Sequence, residues 1–179
     1  MAFISISITK NHPLILGKGG FGRQLADWLS AEGWGEAEFL DDSAPGCVGG
    51  LRDYADPKLL KPGRPAFVAL GDNALRVELL QKLAAAGYDT PVFISDMAAV
   101  SPSAVLEPGC VILPQAYVGA DAHLGVGCIV NAGAIVDHNA HLGRGVHVAP
   151  GGIVKASAEV AEFGKVDSGE IVRSPWENQ

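Results

Sequence analysis

The chain has 179 residues and a formal net charge of −7, with a pI near 5.1. That acidic balance argues against a nucleic-acid backbone as partner. Its mean hydropathy of +0.22 is high, yet no apolar run approaches the ~18 residues that a membrane span needs. The length allows one domain or two small ones. The opening MAFISISITK lacks the basic start and small-residue cleavage site of a signal peptide, so a cytoplasmic setting is expected.

From residue 13 to residue 98, short apolar runs alternate with helical periodicity. Leu14–Leu16 reads as a buried strand. Residues 21–32 carry helical spacing through Leu25, Trp28 and Leu29. Glu38–Leu40 reads as a second strand, ending at Asp41 and Asp42. Residues 66–70 form a third, followed by a helix over 74–86 that stops at Gly87, and residues 92–94 read as a fourth strand. The order predicts a small Rossmann-like α/β domain with a parallel sheet over residues 1–98.

Between the first strand and first helix lies Gly17-Lys18-Gly19-Gly20-Phe21-Gly22, a G-x-G-x-x-G pattern in the right context. Its backbone N–H groups and the helix N-terminus suit a pyrophosphate; a tight turn without a ligand is the alternative. Asp41 and Asp42 follow about 20 residues on, where ribose or base hydrogen bonds are made in such folds. Gly71, Asp72 and Asn73 follow the third strand, with Arg76 on the next helical turn. About 85 residues make one mononucleotide-binding half, which fits a nucleotide attached to a sugar better than a dinucleotide.

The second part is governed by a repeat. Thirteen aliphatic residues stand six apart without a break, from Val100 through Val136 to Val172. The fourth residue after each is small through most of the series, as at Ala104, Cys110, Ala116, Ala122, Cys128, Ala134 and Ala140. A period of six fits neither a helix nor a plain strand. It specifies a parallel β-helix with three flat sides, the aliphatic pointing inward and the small residue beside it near the corner. Glycines three residues after the aliphatic, such as Gly109, Gly127 and Gly145, mark corners that need φ > 0. Twelve hexads give four coils, a prism roughly 19 Å tall. Phe163 and Glu170 interrupt the pattern, so residues from about 160 on are expected to form a cap or an exchanged tail.

Cys110 and Cys128 lie one coil apart and are expected to stack as buried thiols, with a strained disulfide as the alternative; Cys47 completes no metal motif. His12 lies in the N-terminal arm. His123 and His141 occupy equivalent outward positions, expected to be a solvated ladder. His138 and His147 are expected to project outward near one groove. A histidine is suited to take a proton from an attacking amine or hydroxyl in acyl transfer, and Asp137 adjoins His138 in sequence.

Taken together, Leu16-Gly17-Lys18-Gly19-Gly20, Phe39-Leu40-Asp41-Asp42, Gly71 through Arg76, Val100-Ser101-Pro102-Ser103-Ala104 and Asn131 through Gly151 carry a resemblance over roughly residues 13–156. The chain is similar to bacterial sugar acyltransferases that join a nucleotide-binding domain to a left-handed hexapeptide β-helix. These include the sialic acid O-acetyltransferases and the UDP-4-amino-sugar N-acetyltransferases. The resemblance implies a β-helix acyltransferase domain with a C-terminal cap over 99–179, a homotrimer, and acetyl-CoA lying along the β-helix between subunits. It implies His138 as general base, His147 near the acetyl-CoA thioester, and Asn131 touching the acceptor. The loops of Gly17, Gly19, Gly20 and Phe21, of Asp41 and Asp42, and of Gly71, Asn73 and Arg76 would hold the nucleotide-sugar.

The chain departs from the family's pattern in three places. Asn139 stands where the family carries an acid that raises the base's basicity, with Asp137 as candidate substitute. Lys155-Ala156 replaces a glycine pair, leaving a backbone N–H near Ala156 as oxyanion donor. Fewer coils follow the histidines than is usual for the coenzyme site. The expected activity is acetylation of an amino or hydroxyl group of a nucleotide-activated sugar, a UDP-4-amino-sugar first, in glycan biosynthesis. The alternative is a trimeric nucleotide-sugar-binding module without catalysis. A zinc lyase on the same β-helix would need three converging histidines, a spacing the chain lacks, so no metal is expected.

Overall fold

The computed structural model of the protein describes residues 12–59 and 61–178; the opening segment read for a targeting signal lies outside the described residues. In the N-terminal domain β1 (Leu14–Leu16) lies between β2 (Glu38–Leu40) and β3 (Ala66–Val68), all parallel. Every residue of β1 and β3 is buried, because a parallel sheet is covered on both faces. The helix α1 (Gly20–Ala31) buries Leu25 and Leu29. The helix α2 (Asn73–Ala86) buries Val77, Leu79, Leu80 and Leu83. Asp72 caps α2, its carboxylate accepting from the Leu75 N–H at 3.0 Å, and Gly87 ends it in the left-handed conformation.

The expected fourth strand of this sheet belongs elsewhere. β4 (Phe93–Ile94) pairs with Val111–Ile112 as the first rung of the solenoid. The reason is the phase of the repeat: Ile94 stands six before Val100, and Ala98 supplies the small residue four later.

Fourteen two-residue strands, beginning with β4, form three stacked parallel sheets. Face 1 stacks Phe93–Ile94, Val111–Ile112, Ile129–Val130, His147–Val148 and Lys165–Val166. Face 2 stacks Ala99–Val100, Tyr117–Val118, Ile135–Val136, Ile153–Val154 and Ile171–Val172. Face 3 stacks Val105–Leu106, His123–Leu124, His141–Leu142 and Glu159–Val160. The inward aliphatics Ile112, Val118, Leu124, Val130, Val136, Leu142 and Val148 pack with Cys110, Ala116, Ala122, Cys128, Ala134 and Ala140 in one buried core. Cys110 and Cys128 are free thiols. Each donates to the carbonyl of a corner glycine, Gly125 at 3.3 Å and Gly143 at 3.2 Å. The hydrogen bond with Cys128, followed by burial, pushes the Cys110 thiol well above its ordinary range.

Every sixth residue from Gly109 to Gly169 turns a corner with positive φ; Gln115, Asp121, Asn139, Ser157 and Phe163 do so without being glycine. The repeat does not stop near 160. Lys165–Val166 and Ile171–Val172 extend their faces in register. Phe163 stays outside the core because it occupies a corner, under the Arg144 guanidinium. Glu170 turns outward, and its carboxylate accepts from the Asp167 N–H at 2.7 Å. Only the final 3-10 turn, Pro175–Asn178, leaves the repeat; its Glu177 pairs with Lys155 of the coil below.

The two parts share an interface. Phe93, Val111 and Ile129, the outward residues of the lower rungs of face 1, are buried in one cluster with Ile15, Leu25, Leu29 and Phe67 of the N-terminal domain. α2 rests on the corner between faces 3 and 1. An added Cβ at Gly127 would lie 2.7 Å from a Leu80 methyl, so a side chain at that corner would have to push α2 or Leu80 aside. Among the described residues no helix is long and apolar enough to cross a membrane.

Candidate active site

The glycine loop is built as the sequence suggests. Gly17 has φ 98°, and its N–H donates to the Leu40 carbonyl at 2.8 Å. A Cβ on Gly22 would stand 2.0 Å from the Gly17 carbonyl oxygen, so the third glycine is fixed by the approach of α1 to the loop. Gly19 is the N-cap of α1 and gives no side-chain cap, with no acidic residue in the first turn. Gly19 and Gly20 have open space around them. Uncapped amides at a helix start form an anion site.

Asp41 shapes this loop from within. Its carboxylate accepts from the backbone N–H groups of Lys18 at 2.8 Å, Ser43 at 2.9 Å and Ala44 at 2.8 Å. Those three donors, Lys18 first, hold its pKa well below the usual carboxylate range. Lys18, which the sequence reading passed over, reaches across to the Pro45 carbonyl at 2.8 Å. Asp41 is therefore a brace between the loops. Asp42 is exposed; it accepts from the Leu51 N–H at 2.8 Å and lines a cavity of about 160 Å³ with Arg52, Tyr54 and Leu75. Gly71 is exposed at the same sheet edge.

Asn73 and Arg76 are engaged within the protein. Arg76 is 1% exposed. Its guanidinium donates to the carbonyls of Gly127 at 2.9 Å, Gly145 at 2.6 Å and Leu70 at 2.9 Å, and to Asn73 Oδ1 at 2.8 Å. The Asn73 amide donates to the Phe163 carbonyl at 2.9 Å. Both side chains are engaged in fastening α2 to the solenoid corner, which corrects their expected role. Burial is the main force lowering the Arg76 pKa to about 10, so it stays charged at neutral pH.

On face 1 the outward row changes character where the N-terminal domain ends. Above Phe93, Val111 and Ile129 stand His147 and then Lys165. The His147 ring lies 6.4 Å from that of Phe21, the second residue of α1. Asn131, at the corner between faces 1 and 2, is buried. Its Oδ1 accepts from the Ala132 N–H at 2.8 Å, which turns its NH₂ toward His147 Nε2 at 3.3 Å. An NH₂ can only donate, so His147 carries its proton on Nδ1. Burial, then the charges of Arg76 and Lys165, lower the His147 pKa to about 4; it is a neutral imidazole at physiological pH.

His138 is exposed at the corner between faces 2 and 3. Its Nδ1–H donates to Asn139 Oδ1 at 2.9 Å, which leaves the Nε2 lone pair outward. Asn139 takes the left-handed corner with φ 57°, a conformation asparagine tolerates well. Asp137 accepts instead from the His138 backbone N–H at 2.7 Å, so it braces the corner and does not touch the ring. One rung above, the Ala156 N–H has no acceptor among the described residues. His138 and His147 do not share a groove within one chain. The corner between faces 2 and 3 lies opposite face 1, so the prism separates them. His123 and His141 stack on face 3 with ring centroids 4.8 Å apart, His123 paired with Glu107.

A mononucleotide-type α/β domain seated on a hexapeptide solenoid, with one imidazole at the junction and another at a corner, defines the class of two-domain hexapeptide-repeat transferases. The PglD N-terminal domain family matches residues 14–83. The acetyltransferase domain of PglB from Neisseria gonorrhoeae, in complex with acetyl coenzyme A, is 33% identical with a TM-score of 0.83, over 92% of this chain and 82% of that one. A histidine-to-alanine mutant of GDP-perosamine N-acetyltransferase from Caulobacter crescentus, in complex with CoA and GDP-perosamine, is 29% identical with a TM-score of 0.77, over 86% and 76%. WeeI from Acinetobacter baumannii shares the fold at 14% identity and a TM-score of 0.57. The chain belongs to the hexapeptide-repeat sugar acetyltransferase family, and it is an acyltransferase.

Proposed function

We propose that the protein transfers the acetyl group of acetyl-CoA to the amino group of a nucleotide-activated amino sugar, a UDP-4-amino-sugar in the first instance. The observation that carries this is the His138–Asn139 hydrogen bond, which aims a free imidazole nitrogen outward from the corner. His138 Nε2 takes the proton of the attacking amine as nitrogen bonds to the thioester carbonyl. The tetrahedral oxyanion is met by the Ala156 N–H. Collapse expels the CoA thiolate, and the proton on His138 neutralises it.

The site belongs to a homotrimer. The outward residues of face 2 are Ala99, Tyr117, Ile135, Ile153 and Ile171, with Tyr117, Ile135 and Ile171 at 44%, 36% and 48% exposure. A continuous apolar column of this kind is suited to line a three-fold axis. With face 2 turned to the axis, the face 1–face 2 corner of one protomer meets the face 2–face 3 corner of the next. Asn131, His147 and Phe21 of one chain then stand across a groove from His138 of its neighbour. The nucleotide lies on Gly17, Gly19, Gly20, Asp42 and Gly71, and its sugar extends past Phe21 into that groove.

The test is release of CoA from acetyl-CoA, with mass spectrometry of product, across UDP- and GDP-linked amino sugars. Acetylated product that disappears in His138→Ala is the expected result. Near-wild-type turnover of His138→Ala would sink the assignment. Nucleotide-sugar binding without any transfer would favour the non-catalytic module.

A further inference from the structure

We propose that Lys155 and Arg173 form a phosphate site for the nucleotide end of the acyl donor, and that Glu177 of the C-terminal turn occupies it as an internal carboxylate stand-in. This rests on the acetyl-CoA reading above. Residues 137, 155 and 173 follow strands that stack in register on face 2, so the two cations stand one and two rungs above Asp137, at the corner that carries His138. Both converge on one carboxylate. Lys155 Nζ donates to Glu177 Oε1 at 2.9 Å and Oε2 at 2.8 Å, and Arg173 donates to Oε2 at 3.4 Å.

Two cations against one carboxylate leave one net positive charge, in a chain whose overall charge is −7. Location and spacing fit a phosphate. Two rungs span roughly 10 Å, and an extended arginine side chain adds several ångströms more. A pantetheine arm, with its two amide units, covers a comparable length of roughly 15 Å by ordinary bond geometry. A thioester at His138 therefore delivers its diphosphate to these two side chains. The turn is hinged for release. Ser174 is buried and its hydroxyl donates to the Ala156 carbonyl at 2.8 Å. Beyond it, among the described residues, the hydrogen bonds and ion pairs of the 3-10 turn are the Glu177 N–H to the Ser174 carbonyl and the pairs of Glu177 with Lys155 and Arg173. Exposed ion pairs are weak, so a diphosphate, which carries one negative charge on each phosphoryl group and accepts charge-assisted hydrogen bonds from both cations, displaces the carboxylate.

The experiment compares calorimetric Kd values for CoA and for pantetheine, which lacks the phosphates, in the full chain and three variants. Glu177→Gln is expected to tighten CoA about three- to tenfold relative to pantetheine. Lys155→Met and Arg173→Met are expected to weaken it about tenfold on the same ratio. An unchanged CoA-to-pantetheine ratio in Glu177→Gln, or in both cation variants, would overturn the proposal. So would failure of the protein to bind CoA at all. Because binding is read without an acceptor, the shifted ratio in a protein that acetylates no amino sugar supports the phosphate site while the acceptor assignment falls.

Discussion

Asn131 decides which nitrogen of His147 carries the proton. Its amide is oriented by the Ala132 N–H, so its NH₂ faces His147 Nε2 and the imidazole must hold hydrogen on Nδ1. The neutral ring is thereby a fixed donor at the junction of the two domains. ¹H–¹⁵N correlation of the imidazole is expected to give an Nδ1–H tautomer that persists to about pH 4. Asn131→Asp replaces the donor with a carboxylate, which favours the imidazolium. The His147 titration is expected to rise by more than one pH unit in that variant, and no movement would disprove the pairing.

The same lowered pKa has a consequence for stability. His147 titrates near 4 when folded and near 6.5 when unfolded. Above 6.5 both states are neutral and the group has no effect. As pH falls from 6.5 toward 4 the unfolded state binds the extra proton, and stability declines by about 1 kcal/mol per pH unit at most, after allowance for solvent screening. Thermal melts of wild type and His147→Gln between pH 7.5 and 4.5 should diverge in slope, the variant being flatter.

Arg76 is expected to matter for cohesion rather than for substrate. Its removal strands the carbonyls of Gly127 and Gly145 inside the interface. Arg76→Met should cost about 3 kcal/mol by denaturant unfolding, and Arg76→Lys should not restore it because one ammonium cannot replace a fork. A variant with normal stability and a raised nucleotide-sugar KM would return Arg76 to the binding site.

Two glycines of the loop should separate cleanly. Gly22→Ala drives a Cβ against the Gly17 carbonyl and is expected to destabilise by at least about 3 kcal/mol. Gly20→Ala meets open space and should fold within about 0.5 kcal/mol of wild type. Circular-dichroism melts of the two variants check this.

The solenoid was legible because its signal repeats. A period of six written over thirteen positions leaves no other architecture, and the inward and corner residues follow from it. The start of the coil at β4 is ambiguous in the sequence because a two-residue apolar strand looks alike in either sheet, and only the phase of Ile94 with Val100 marks it as a rung of the solenoid. The seat of the N-terminal domain was written in the sequence only in part. Phe93, Val111 and Ile129 place apolar residues outward every eighteen positions before His147 ends the row, as Tyr117, Ile135, Ile153 and Ile171 do on face 2; the sequence marks both columns as covered faces without saying what covers each. Asn73 and Arg76 were misread because a polar residue near a sheet edge can face a ligand or a neighbouring carbonyl, and only the placement of α2 over Gly127 and Gly145 decides between them. The opposed positions of His138 and His147 follow from counting corners, which local motif reading does not do.

The most direct measurement is complementation between inactive chains. His138→Ala and His147→Ala proteins would each be inactive as homotrimers. Co-refolded in equal amounts, they form mixed trimers in which about a quarter of the interfaces pair an intact His138 with an intact His147. Recovery of about a quarter of wild-type turnover is the expected result. Mixed trimers, verified by mass, that remain as inactive as their parents would contradict a site shared between neighbouring protomers.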